Sequence, residues 1–149
     1  MAILISTDKL KEIAEQLEGG MKCWYHIPAK EVLWAPDRLR NWDIDEEIWE
    51  DVFNEIDEKI HECISFEGPD SNEEFQIMAD FANEVDDPKV RDRLIYALNQ
   101  RKPFIHFKSE IHYQDKYLKP WYAFKTQRYI EFVKEQLDSY NSLYSKNHE

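Results

Sequence analysis

Cysteine and histidine residues occur close together at two places, and this pairing could support nucleophilic chemistry. His61 lies two positions before Cys63 in a stretch that we predict as a strand. Side chains at that spacing point the same way but are ~7 Å apart at their Cβ atoms, and no third group that would orient the histidine is indicated. Cys23 and His26 fall on opposite faces of another predicted strand. The pattern favours structural cysteines over a catalytic thiol.

Metal ligation is a second possible chemistry. His61 and Cys63 form at most half of a site, and His106 and His112 are not at a spacing that makes them neighbours on a helix. The acidic run DIDEEIWED at 43–51 lacks the glycine that an EF-hand calcium loop needs at its turn. A solvated helix face explains this run better, and we predict no metal site.

Carboxylate pairs and phosphate loops give no stronger signal. Asp86 and Asp87 precede a predicted helix start, where negative charge interacts favourably with the helix dipole. A glycosidase-type pair stays open, although chance pairs are expected among 31 acidic residues. The chain has 3 glycines and no glycine-rich phosphate loop. We predict no cofactor.

A basic and aromatic segment is the remaining candidate for function. Arg101 and Lys102 stand before Pro103, which is predicted to begin a helix, and such a helix start beside basic residues can hold an anion. The bases either balance the acidic half through intramolecular pairs or form a docking face for an acidic partner protein, a phosphorylated ligand or single-stranded RNA. The predicted binding residues are Arg101, Lys102, Lys108, Tyr113, Trp121 and Lys125.

The charge of the chain is strongly negative and unevenly distributed. The net charge is −12, with 25 acids and 10 bases in residues 1–100 but 6 acids and 9 bases in residues 101–149. An acidic surface that keeps the protein in solution explains the excess, and a dipolar molecule with a basic binding end is the alternative. General nucleic-acid binding is disfavoured, because the acidic part would repel phosphates.

Cysteine usage and hydropathy predict a cytoplasmic protein. Cys23 and Cys63 are too few for a disulfide framework and form no CxxC pair. The N-terminal residues lack the basic start and long apolar run of a signal peptide, and no stretch approaches the ~18 apolar residues of a membrane span.

The first half of the chain predicts two helices and a small antiparallel sheet. Ser6 or Thr7 caps a first helix that ends at Gly19-Gly20. The runs MKCWYHI and EVLWAP flank a short turn at 28–30 and predict a hairpin, and HECISFEG predicts a third short strand. A loop with Trp42 precedes an acidic helix that opens at Asp45. The apolar stripe predicted for this helix consists of Ile48, Val52, Ile56 and Ile60, with Trp49 and Phe53 beside it.

The second half predicts four helices. Ser71 and Glu74 have capping-box spacing, and Asp87-Pro88 is a cap followed by proline at the first helical position. Pro103 and Pro120 begin two further helices. We predict one α+β domain over 1–149: helix, hairpin, acidic helix and strand in 1–66, a helical part in 67–144, and a frayed tail in 145–149.

Four stretches of the helical part carry a family resemblance: EEFQIMADF, VDDPKVRDRLIYAL, RKPFIHFKSEI and WYAFK. They resemble uncharacterised protein family 0158, a set of bacterial proteins known by sequence rather than by activity. The resemblance covers about residues 60–140, and we interpret residues 37–59 as an acidic insertion specific to this chain. Many members carry a glycine where this chain reads NQRKPF. The resemblance implies one compact fold and no particular reaction, ligand or partner.

These observations favour a small adaptor or regulator that binds another macromolecule without catalysis. Absent catalytic motifs, charge asymmetry and abundant aromatic residues motivate this hypothesis. Two alternatives stay open: a hydrolase that uses acidic residues or a carboxylate-bound metal, and a regulator associated with RNA. The oligomeric state is not indicated by the sequence.

Overall fold

A computed structural model describes residues 2–37 and 44–147 of the chain, with the side chains of 144–147 left out. Helices and strands follow in the order α1 (Thr7–Glu18), β1 (Met21–His26), β2 (Glu31–Pro36), α2 (Glu46–Lys59), β3 (Cys63–Phe66), α3 (Ser71–Glu84), α4 (Pro88–Leu98), α5 (Pro103–Tyr113) and α6 (Leu118–Asn147). Short 3₁₀ turns at Ile60–Glu62 and Asp115–Tyr117 precede β3 and α6. The predicted α+β class is confirmed. Trp42 lies outside the described residues.

The chain groups into two compact units. One unit combines Met1–Gly68 with Tyr129–Glu149, and the other is Pro69–Arg128. The long helix α6 contributes its first part to the second unit and its remainder to the first. The helix extends to Asn147, so residues 145–147 are helical where the sequence indicated a frayed tail. The single domain over 1–149 stays a prediction.

The first unit is built on an antiparallel sheet with the strand order β2-β1-β3. Cys23 pairs with Trp34 on one side and Phe66 on the other, so these residues share a face. The Cys23 thiol donates to the Ile13 carbonyl oxygen at 3.7 Å, which places α1 on that face. The Tyr140 hydroxyl of α6 donates to the Ser65 carbonyl oxygen at 2.8 Å. The predicted hairpin and third strand are therefore correct.

The opposite face of the sheet packs against α2, and here the predicted apolar stripe is wrong in part. Phe53 and Ile56 are buried against Ala35. Ile48 is 72% exposed and Ile60 is 40% exposed, although both were assigned to the stripe. At about 100° per residue the apolar residues of α2 span ~140° of the helix, with Ile48 at one edge and Phe53 at the other, so spacing alone does not select which part of this arc meets the sheet.

The second unit packs α3, α4, α5 and the start of α6 around aromatic rings. Trp121 lies edge-on to Phe107 at 4.9 Å and to Phe81 at 5.3 Å between ring centroids. Phe107 and Leu94 are fully buried. Edge-to-face pairs of this kind add about 0.5–1.5 kcal/mol each beyond the buried area.

Helix boundaries in the second unit follow local capping chemistry. Asp87 accepts a hydrogen bond from the Lys89 backbone N–H at 2.9 Å, and Pro88 occupies the first turn as predicted. The capping box of α3 is formed by Asp70 and Glu73, not by Ser71 and Glu74. Both pairs have the required spacing, and the structure selects the earlier one.

Candidate macromolecule-binding site

A groove of about 460 Å³ runs along the solvent side of α4 and α5. The two helices are joined by residues 99–102, and their buried sides carry Leu94 and Phe107. The opposite sides are left to line the groove. The lining residues are Asp92, Arg93, Tyr96, Ala97, Gln100, His106, Ser109 and Glu110.

One of the two carboxylates that line the groove, Glu110, already has partners. Glu110 Oε1 lies 3.8 Å from Arg93 Nη1 and accepts a hydrogen bond from Gln114 Nε2 at 3.0 Å. The Arg93 guanidinium also lies over the Tyr113 ring, 5.7 Å from its centroid, a geometry that favours cation–π attraction. These contacts restrain Arg93 and Tyr113 side by side and offset the charge of Glu110.

Two tyrosine rings are exposed at the groove: Tyr96 lines it, and Tyr113 lies beside the lining residue Arg93. Tyr96 on α4 is 68% exposed and Tyr113 on α5 is 73% exposed. Tyrosine offers a large contact area with little loss of side-chain entropy, and it is enriched at protein interfaces. The sequence analysis identified Tyr113 but missed Tyr96.

Arg101 and Lys102 extend the positive charge at the turn between the two helices. Both are exposed, and none of the ion pairs between described residues includes either of them. Lys102 adopts φ 56° and ψ 59° and makes no side-chain cap for α5. Both side chains are therefore available to a ligand. Charge balancing by intramolecular ion pairs does not explain why they are exposed without such a pair among the described residues.

None of the six predicted binding residues lines the groove itself. Tyr113 contacts the lining residue Arg93, and Arg101 and Lys102 lie in the turn that joins the two helices. Lys108 is exposed on α5 but is not among the lining residues. Lys125 is half-buried on α6. Trp121 is 6% exposed in the aromatic core, so its assignment as a stacking residue is corrected. Its ring fills the space between α3 and α5 because an indole buries a large apolar area there.

The positive charge begins earlier in the chain than the sequence analysis placed it. Residues 88–128, which form α4, α5 and the start of α6, contain 3 acids and 10 bases, a net charge of +7. The rest of the chain then carries −19, since the total is −12. The earlier division at residue 101 left out Lys89, Arg91 and Arg93. Helical spacing could have joined Lys89 and Arg93 to Tyr96, because positions 89, 93 and 96 share one side of α4.

The cysteines show no sign of activation. Burial raises the pKa of Cys23 to about 12, with Glu12 adding to the effect. Burial also raises the pKa of Cys63, although nearby Lys59 opposes the rise. The strand register places Cys63 opposite His26, whose Nε2 lies 3.3 Å from Glu62 Oε1. A raised pKa disfavours the thiolate that a nucleophile requires.

The carboxyl groups with shifted pKa values serve structure. The Tyr117 hydroxyl donates to Asp86 Oδ1 at 2.8 Å and thereby lowers the pKa of Asp86. The Arg128 guanidinium donates to Asp80 Oδ2 at 2.7 Å and lowers the pKa of Asp80. A general acid needs the opposite shift. Across the described ranges, no three His, Cys, Asp or Glu side chains are grouped to hold a metal ion.

Comparison with known proteins places the sequence in a family. The family model described as uncharacterised protein family UPF0158 matches residues 38–146. The chain belongs to this family. The match includes α2, so the interpretation of residues 37–59 as an insertion outside the family is wrong.

A relative from Pseudomonas aeruginosa, named UPF0158 protein PA5073, is 34% identical over 62 residues. The aligned part is 42% of this chain and 40% of the relative, so the chain aligns with less than half of that protein's length. No solved structure matches the chain. In residues 2–37 and 44–147, no helix combines the length and apolarity needed to cross a membrane.

Proposed function

We propose that this UPF0158 protein is a cytoplasmic adaptor or regulator that binds an acidic segment of a partner protein in the α4–α5 groove. The observation that carries the proposal is the combination of exposed Tyr96 and Tyr113 with Arg101 and Lys102, which have no ion pair among the described residues. Aromatic rings beside unpaired bases are typical of surfaces that recognise acidic peptides. The two free cysteines are compatible with a reducing compartment.

An acidic protein segment fits the groove better than a nucleic acid does. Residues outside 88–128 carry a net charge of −19, which repels a long polyphosphate at low ionic strength. A short peptide needs to approach only the groove and the turn, within about one Debye length of the positive charges.

The proposal can be tested with a fluorescein-labelled synthetic peptide that alternates glutamate with leucine and tyrosine. Fluorescence anisotropy measures its affinity for the intact chain and for an Arg101→Glu/Lys102→Glu variant. Two charge reversals at the binding face are expected to weaken binding about tenfold or more, equivalent to about 1.4 kcal/mol.

A Lys108→Glu/Lys119→Glu variant is the matched control. It changes the net charge by the same amount at two exposed positions that lie neither in the groove lining nor in the turn between α4 and α5. Binding by this control should stay within about threefold of the original protein. Equal losses in both variants would show that total charge, not the groove, determines affinity. Tighter binding of a single-stranded RNA of equal charge would favour the RNA alternative instead.

A further inference from the structure

The acidic helix α2 presents a strongly charged face to solvent. Residues 45–59 contain eight acids and one base, a net charge of −7. Phe53 and Ile56 meet the sheet, whereas Glu47, Asp51 and Glu58 are exposed on the other side. Ile48 lies next to these acids and is 72% exposed. Ile48 gives the acidic surface of α2 an exposed apolar contact point.

The charge of α2 is opposite to that of the helix pair that forms the groove. Residues 88–113, from the start of α4 to the end of α5, contain 2 acids and 6 bases, a net charge of +4, whereas residues 45–59 carry −7. Both surfaces also expose apolar or aromatic side chains: Ile48 on the helix, and Tyr96 and Tyr113 at the groove. Complementary charge directs association, and the apolar contact at the centre supplies affinity.

We propose that the partner of the α4–α5 groove is α2 of a second copy of this chain. This inference rests on the proposed function, because it identifies the acidic segment that the same groove binds. Ile48 contacts Tyr96 and Tyr113 of the other copy, while the acids around it meet the bases at the turn. The Glu110 carboxylate does not oppose this contact, because it already pairs with Arg93 and accepts a hydrogen bond from Gln114.

The contact joins two different surfaces of the chain. Two copies that make it reciprocally form a closed dimer, and copies that make it once per pair continue into a ring or an open chain of subunits. Average mass should rise with protein concentration. It should fall towards the monomer in about 0.5 M NaCl, because salt screens exposed charges.

A complementation experiment tests the pairing. The first variant is Arg101→Glu/Lys102→Glu, which removes the basic surface but keeps α2. The second variant is Glu47→Lys/Asp51→Lys, which reverses the acidic surface but keeps the groove. Each variant alone should be monomeric in sedimentation velocity. Their equimolar mixture should form a complex of two chains and stop there, since the intact α2 of one meets the intact groove of the other.

Controls exclude unfolding and general charge effects. The Lys108→Glu/Lys119→Glu variant should associate like the original protein. Ile48→Ser, at a position whose exposure makes it dispensable for folding, should weaken association several-fold with an unchanged circular dichroism spectrum. This last variant keeps the test decisive if a charge reversal fails to fold.

Three results would overturn the inference. The original chain could stay monomeric at about 200 µM in low salt, or the mixture of the two variants could stay monomeric. The third is that each variant alone associates as strongly as the original chain does. The acidic peptide separates this inference from the proposed function. Peptide binding that survives without self-association retains the groove and rejects only the second copy as its partner. Loss of peptide binding rejects both.

Discussion

Replacing Trp121 with alanine distinguishes a core role from a binding role for this ring. Trp121 is 6% exposed and packs edge-on against Phe81 and Phe107 at centroid distances of 5.3 and 4.9 Å. Large-to-small changes at buried aromatic positions cost about 3–5 kcal/mol. Two ring pairs are lost at once, so we expect a decrease of about 4 kcal/mol in the free energy of unfolding.

Urea denaturation followed by circular dichroism measures this decrease. Tyr113→Ala is the matched control, because it removes an aromatic ring that is 73% exposed. The control should change the free energy of unfolding by less than about 0.5 kcal/mol. Trp121→Phe should retain part of the ring packing and lie between the two.

Equal stabilities for Trp121→Ala and Tyr113→Ala would contradict the placement of this ring in the core. A second readout is peptide affinity. The folded Trp121→Phe variant should bind the acidic peptide as the original does, whereas Tyr113→Ala should bind it more weakly. The opposite ranking would restore Trp121 to the binding site.

Two further predictions concern titrating groups. Arg128 lowers the pKa of Asp80 below the unfolded value of about 3.8, so the pair stabilises the fold above that pH, and its contribution is lost as the pH falls through the folded pKa. Both side chains are about one-third exposed, so Asp80→Asn should lower the free energy of unfolding by only about 1 kcal/mol at pH 7 and by progressively less below pH 4. Thermal unfolding across pH measures this difference. A difference that is the same at pH 7 and pH 2.5 would refute the linkage. Cys23 is fully buried with a pKa of about 12, so it should react with a thiol reagent only after unfolding. Half-buried Cys63 should react first in the folded protein. Mass spectrometry of the labelled peptides follows both reactions, and equal labelling rates of the two cysteines in the folded protein would argue against this packing.

Elements with local signals were predicted well from the sequence. The caps at Asp45 and Asp87 and the proline at 103 each mark a helix start that the structure contains. The hairpin followed from two runs of strand-forming residues around a short turn. These signals act between residues a few positions apart, so the chain expresses them before any tertiary contact forms.

Predictions from the sequence were wrong where two neighbouring residue patterns satisfied the same local rule. Asp70 with Glu73 and Ser71 with Glu74 both satisfy a capping box, and the structure uses the first pair. On α2, Ile48 and Trp49 are adjacent, and either can begin an apolar stripe. The sheet packs against the side of α2 that carries Trp49, and Ile48 is therefore exposed.

The candidate site was predictable only in part. Arg101, Lys102 and Tyr113 were identified from composition and from the helix start at Pro103. Their assembly into a groove with Arg93 and Tyr96 depends on the packing of α4 against α5. No residue pattern within α4 or α5 indicates which turn of α4 lies beside which turn of α5.

The sequence by itself determined the α+β class, most helix boundaries, the surplus of acid and the basic character of the segment around the α4–α5 turn. Those properties depend on local backbone preferences and on charge counts, which need no partner elsewhere in the chain. Only the tertiary structure decided that Trp121 is core, that Ile48 faces solvent and that Tyr96 lines a groove whose residue Arg93 contacts the Tyr113 ring. Burial and juxtaposition arise from contacts between residues distant in sequence, and an aromatic residue carries the same local signal whether its ring ends inside or outside.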